Sequence, residues 1–231
     1  MSRLLLACSF VALATGALST TALAERAEPS FARPPAGWAA QQDRDAAPHI
    51  AVQVPIVDRA ALRAKLIENR AANLERFRAY RKAGVYPSNV YTRGLANVWR
   101  DQDGHYCAAA TIIRASGQEA LVARVAEQDN FIKLADVTSG PLLDWILTSG
   151  LTQAEVALIQ RPFQPVVRRP VPQPERPVPV EADLRAAETR RLAALYAEIE
   201  AKLVARQKGS IEQALDRLMQ RPQLAAALLA R

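Results

Sequence analysis

Residues 56–84 read IVDRAALRAKLIENRAANLERFRAYRKAG, a charged run with no glycine or proline before Gly84 closes it. The apolar positions recur at helical spacing, and a glycine just past a periodic run is a helix stop, because glycine adopts the left-handed conformation at no side-chain cost. The stretch therefore predicts a helix over 56–83. At about 100° per residue, Leu62, Leu66 and Tyr80 fall on one side of an apolar arc. Ile67, Ala71 and Leu74 fall on the other, with Phe77 between them. Arg63 and Arg70 lie down the middle of that arc. Burying two unpaired guanidinium groups would be very costly. They must either reach out to water along their stems or meet carboxylates on another surface. Arg63 and Arg70 are accordingly the partner-binding candidates.

Working toward the C-terminus, Pro87 and Gly94 bracket a loop, and Leu95–Arg100 and His105–Ile113 flank Asp101-Gln102-Asp103-Gly104. Two β-prone runs about a short Asp/Gly connection predict a β-hairpin. Short helices follow. Ser116 with Glu119 suggests a capping box before 120–127, Ser139 with Pro141 opens 142–147, and Thr152 with Glu155 opens 156–159. Thr138-Ser139-Gly140 recurs as Thr148-Ser149-Gly150, which reads as punctuation between helices. Residues 56–161 are thus expected to form a small α+β module.

Residues 162–180, PFQPVVRRPVPQPERPVPV, carry seven prolines in nineteen positions and no glycine. Proline lacks the amide hydrogen that ladders and helices need, so an extended polyproline conformation is expected. At about 3.1 Å per residue such a stretch spans on the order of 60 Å. It reads as a stiff linker, with a ligand for a groove as the alternative. From 181 to 231 the period is helical again, with a break expected at Gly209, a cap at Ser210 with Gln213, and a last helix after Pro222. The fold class is therefore mostly α: a long first helix, a hairpin with short helices, the linker, and a C-terminal helical hairpin.

Working toward the N-terminus, residues 1–24, MSRLLLACSFVALATGALSTTALA, have a basic start at Arg3, an apolar stretch and Ala22-Leu23-Ala24 before Glu25. That is the pattern of a cleaved export leader. Cys8 sits too early in the apolar segment for a lipid attachment site. Residues 25–55, with five prolines, are expected to be a flexible arm. Export places the protein in the periplasm or outside the cell and removes nucleic acid from the expected partners, despite a net charge of +7. No membrane span is expected once the leader is gone.

The chain has 231 residues, two cysteines and two histidines. A disulfide scaffold and a multi-histidine metal site are excluded. Phosphate loops, dinucleotide-binding glycines and serine-nucleophile motifs are missing from the sequence. Placing Gly104 at the sixth position of a calcium loop puts Trp99 first and Ala110 twelfth, and neither can coordinate the ion. No cofactor or metal is expected. Cys107 and His105 are the only motivated catalytic pair, since alternate residues of a strand share a face. A small buried cysteine among alanines is the plainer reading. The functional expectation is a non-enzymatic envelope or periplasmic interaction protein that meets an envelope protein. The alternatives are a secreted enzyme using Cys107 and His105, and a basic binder of anionic cell-wall polymers.

Overall fold

A computed structural model describes residues 54–230. The expected leader, and all but the last two residues of the expected arm, lie outside them. The described chain is mostly helical. Eight helices run in the order α1 (Arg59–Ala83), α2 (Ala108–Ala115), α3 (Glu119–Gln128), α4 (Gly140–Thr148), α5 (Gln153–Ile159), α6 (Ala182–Ala205), α7 (Gln207–Met219) and α8 (Pro222–Leu229), with a 3-10 turn at Leu134–Asp136. None of them is long and apolar enough to cross a membrane.

α1 is the central element and touches α2, α6, α7 and α8. The Asp58 carboxylate accepts from the amides of Ala60 and Ala61 at its start, and Gly84, at φ 64°, closes it as expected. The buried seam runs Leu62, Leu66, Arg70, Leu74, Phe77, Tyr80, whereas Ala71, placed on the arc by periodicity, is exposed. The C-terminal half of α1 shares a core with α2 and with Leu192, Tyr196 and Ile199 of α6. Its N-terminal half packs Leu62 and Leu66 against Leu143 and Leu147 of α4 and against α7 and α8. Burial of these side chains supplies most of the driving force, at about 1.5–3 kcal/mol for each large aliphatic or aromatic group.

The expected hairpin is replaced by a turn that feeds a helix. The turn itself forms, with the Asp101 amide donating to His105 O at 2.9 Å and the Cys107 amide donating to Trp99 O at 3.0 Å. Pairing then stops after the single bridge between Arg100 and Tyr106. Ala108-Ala109-Ala110 favours helix over strand, and Cys107 caps α2 by accepting the Ala110 amide on Sγ at 3.4 Å. Ser116 ends α2 and does not open α3; its hydroxyl donates to Ile113 O at 2.6 Å. The Thr152–Glu155 capping box forms as expected. Gly209 does not break the tail: the chain bends at Arg206, and Gly209 and Ser210 lie inside α7.

The proline-rich stretch is docked along the body and does not act as a free spacer. Phe163, Val166 and Val167 are buried, the last two against Val90. Phe163 and Ala96 exchange both backbone bonds, and the Val171 amide donates to Val90 O. The Gln102 side chain does the same for Val178, donating to its carbonyl and accepting from its amide, both at 2.8 Å. The amides of Phe163, Gln164, Val166, Arg168, Val171 and Val178 find partners, and Val166, Val167 and Val178 supply apolar contact that holds the strap down. The tail that follows shares its core with α1 and α2.

Candidate functional site: a cleft beside Trp145

The four residues singled out by sequence go to different places. Arg70 is fully buried. Its Nη atoms meet Glu155 at 2.7 and 2.8 Å, and also the carbonyls of Gly150 and Leu203. Glu155 in turn accepts from the Thr152 amide and the Ser210 hydroxyl. Arg63 remains half-exposed and bonds Glu212 of α7 at 2.6 Å. Both arginines meet carboxylates, as burial demands, but the surface they meet is the chain's own.

Cys107 and His105 are not hydrogen-bonded to each other. The Cys107 thiol is buried in the same core as Tyr80 and Tyr196, and burial pushes it up to about 12. His105 turns to Asp101, Nδ1 to Oδ2 at 3.2 Å. Asp101 is the organiser of that loop, with its oxygens accepting from the amides of Ser88, Asp103 and His105. The side chains of Asp101, Asp103 and His105 approach one another closely, but the Asp101 oxygens are already committed to holding the turn.

A different surface gathers polar and aromatic groups around a cleft. α1 presents Lys65, Asn69, Asn73 and Arg76 at helical spacing on the flank of its buried seam. α4 buries Leu142, Leu143, Ile146 and Leu147, which leaves Pro141, Asp144, Trp145 and Thr148 on its outer face. The two faces enclose a cleft with a lobe of about 310 Å³ between α1 and α4 and one of about 200 Å³ between α4 and α8. Trp145, Gln118, Thr148 and Leu228 line both lobes. The larger lobe sits at the lower end of the range of small-molecule clefts, about 300–1,000 Å³.

Hydrogen bonds tie the cleft's walls to one another from behind. The Trp145 Nε1–H donates to Ser116 Oγ at 2.8 Å, which ties the indole to the end of α2. Asn69 and Asn73 donate to the carbonyls of Thr148 and Ser149, which clamps α1 to the end of α4. Asn69 Oδ1 and the side-chain amide of Gln118 have no hydrogen-bond partner among the described residues.

The arginines of α1 show what the cleft offers electrostatically. Arg59 and Arg63 pair with carboxylates of α7, Arg70 with Glu155, and Arg78 and Arg81 with Glu200 of α6. Arg76 is the exception. Its Nη1 donates to Asn73 Oδ1 at 2.7 Å, and it reaches no carboxylate among the described residues. Arg76 lines the larger lobe, and a guanidinium has five N–H groups, of which the bond to Asn73 uses one.

The family models, curated proteins and solved structures compared with this chain give no match. Sequence reasoning missed the cleft because it followed the apolar arc of α1 and the arginines within it. The usable signal was the polar stripe beside that arc, together with a tryptophan on the outer face of a short, otherwise apolar helix.

Proposed function

We propose that this is an exported, non-enzymatic interaction protein of the cell envelope that works by holding a ligand in the cleft beside Trp145. The observation that carries the reading is Arg76, the one α1 arginine without a carboxylate among the described residues, lining the same cleft as the hydrogen-bonded indole of Trp145. The leader pattern of residues 1–24 supports export. The burial of the Cys107 thiol, and the engagement of His105 with Asp101, favour binding over covalent chemistry.

Two measurements test it together. Mass spectrometry of the exported protein is expected to find an N-terminus at Glu25; a retained Met1, or a lipid on Cys8, contradicts export. The protein beginning at Glu25, mixed with cross-linked envelope fractions, is expected to retain envelope material that Trp145→Ala loses while its helical circular dichroism stays native. Equal retention by the variant removes the cleft from the function.

A further inference from the structure

We propose that the cleft beside Trp145 binds a single acidic sugar unit of a glycan, one carrying a carboxylate and an N-acetyl group. This rests on the envelope reading above and names its ligand. Three features of the cleft must be satisfied at once. The indole of Trp145 lines both lobes of the cleft, and its N–H bond to Ser116 favours one orientation of the ring. Its flat apolar surface suits the C–H face of a pyranose ring, as amphipathic aromatic groups suit ligands with one apolar side.

The second feature is the pair of open amide groups, Asn69 Oδ1 and the Gln118 side chain. An amide offers a donor or an acceptor in a fixed plane, which matches hydroxyl groups and an N-acetyl carbonyl better than it matches lipid. The third is charge. Lys65 is balanced by Glu68 at 3.1 Å, whereas Arg76 is balanced by no carboxylate among the described residues. The α1 side of the cleft therefore carries one excess positive charge, while Asp144 on the α4 side lies 3.9 Å from Arg221, so one ligand carboxylate is called for on the α1 side. Charge-assisted bonds from a guanidinium to a carboxylate are about twice as strong as neutral ones. A polyanion with a charge at every unit would call for more than one unpaired cation, and a purely apolar ligand would leave Arg76, Asn69 and Gln118 without partners.

Isothermal titration calorimetry on the protein beginning at Glu25 tests this, with the disaccharide of N-acetylglucosamine and N-acetylmuramic acid as the acidic probe. The disaccharide of two N-acetylglucosamines is its neutral counterpart. The acidic sugar is expected to bind at least tenfold more tightly. Arg76→Gln is expected to abolish that difference. Trp145→Ala is expected to lose both. Arg76 bonds only Asn73 within the described chain, so Arg76→Gln should fold normally, and circular dichroism checks that it does.

Equal affinity for the two sugars overturns the assignment, as does no measurable binding of either at millimolar concentration. Displacement of the bound sugar by an acidic tetrapeptide at lower concentration overturns it in favour of a peptide ligand. The two levels of the argument fail separately. If envelope retention depends on Trp145 but neither sugar binds, the glycan falls and the envelope reading stands. If the sugars bind but the exported chain keeps Met1, the reverse holds.

Discussion

Arg70 and Glu155 lie 85 residues apart in the chain and meet as a two-pronged ion pair, fully buried on the arginine side and with the carboxylate 9% exposed. The pair does more than neutralise itself. Arg70 also takes the carbonyl of Leu203 near the end of α6, and Glu155 takes the hydroxyl of Ser210 in α7. One buried cation thereby joins α1, α5, α6 and α7. Removing a single member leaves an uncompensated charge in the interior, which costs about 3–5 kcal/mol. Arg70→Met is expected to lose about that much in urea unfolding. Arg70→Met with Glu155→Leu is expected to lose less than the two single changes added together, and strict additivity would show that the pair is not coupled.

Acid should weaken the same joint. Burial raises the affinity of Glu155 for its proton, but the Arg70 guanidinium, the Thr152 amide and the Ser210 hydroxyl outweigh it, so its carboxyl lies below the ordinary value of 4.5. A depressed carboxyl means that the unfolded chain binds more protons in this range, so stability rises with pH there. The contribution is complete above about 4.5 and is lost as pH falls through the folded value. Unfolding free energies measured from pH 7 downward should therefore decline below that point. Glu155→Gln should flatten the decline, and an unchanged slope would place the acid sensitivity elsewhere.

Gly150 lies against α1 more closely than any side chain permits. A Cβ at this position would come 2.1 Å from Leu66 O and 2.7 Å from Arg70 N, and its φ is 75°. Both contacts are with backbone, which cannot step aside. Gly117 has a similar φ of 86° but open space around it. Gly117→Ala is expected to cost about 1–2 kcal/mol, the ordinary strain of a left-handed alanine. Gly150→Ala should cost considerably more, enough to prevent accumulation of folded protein or to lower the melting temperature far beyond the Gly117 variant. Equal losses would mean that α1 does not approach Gly150 this closely.

What the sequence revealed of this fold was local. The run 56–83 closed by Gly84 located α1 because periodicity and a glycine stop act within one element, and Thr152–Glu155 forms its box for the same reason, whereas the Asp58 cap was not read. Cys107 was misplaced because Tyr106, Thr111, Ile112 and Ile113 favour strand, while three alanines and the cap favour helix. The strap was misread because seven prolines describe what the stretch cannot bond, not what Phe163 and Val166 can bury. The partners of Arg63 and Arg70 were invisible because Glu212 and Glu155 are distant in sequence. The Trp145 cleft combines helices from both ends of the described chain, and no short window contains it.

Cys107 provides a direct check on the core. Its thiol is buried and pushed up to about 12, and the thiolate is the reactive form. Iodoacetamide is expected to label it slowly in the native protein near neutral pH and quickly in urea, with His105→Ala changing neither rate. Cys107→Ala should cost about 1 kcal/mol through the lost cap on α2. Rapid native labelling that His105→Ala abolishes would instead establish a catalytic pair.

The docked strap changes what proteolysis should show. Arg168, Arg169 and Arg176 are exposed, and the bonds after Arg169 and Arg176 precede prolines, which trypsin resists. Cleavage is therefore expected after Arg168. A free spacer would then release two pieces that separate on a sizing column. Here the pieces share a core: Phe77 and Tyr80 of α1 stack edge-on against Tyr196 of α6, with ring centroids 5.6 and 5.7 Å apart. Arg70–Glu155 also ties to Leu203 and Ser210 across the cut. The nicked protein is expected to elute as one body and to come apart only in denaturant. The rate of cutting should depend on how firmly the strap is held. Gln102 supplies both bonds to Val178 beyond the cut, so Gln102→Ala should loosen that end and raise the rate several-fold. The α1 and α6 contacts are untouched by this change, so the nicked variant should still elute as one body. Separation of the pieces in native buffer would show that the tail is not docked, and an unchanged cutting rate would show that Gln102 does not hold the strap.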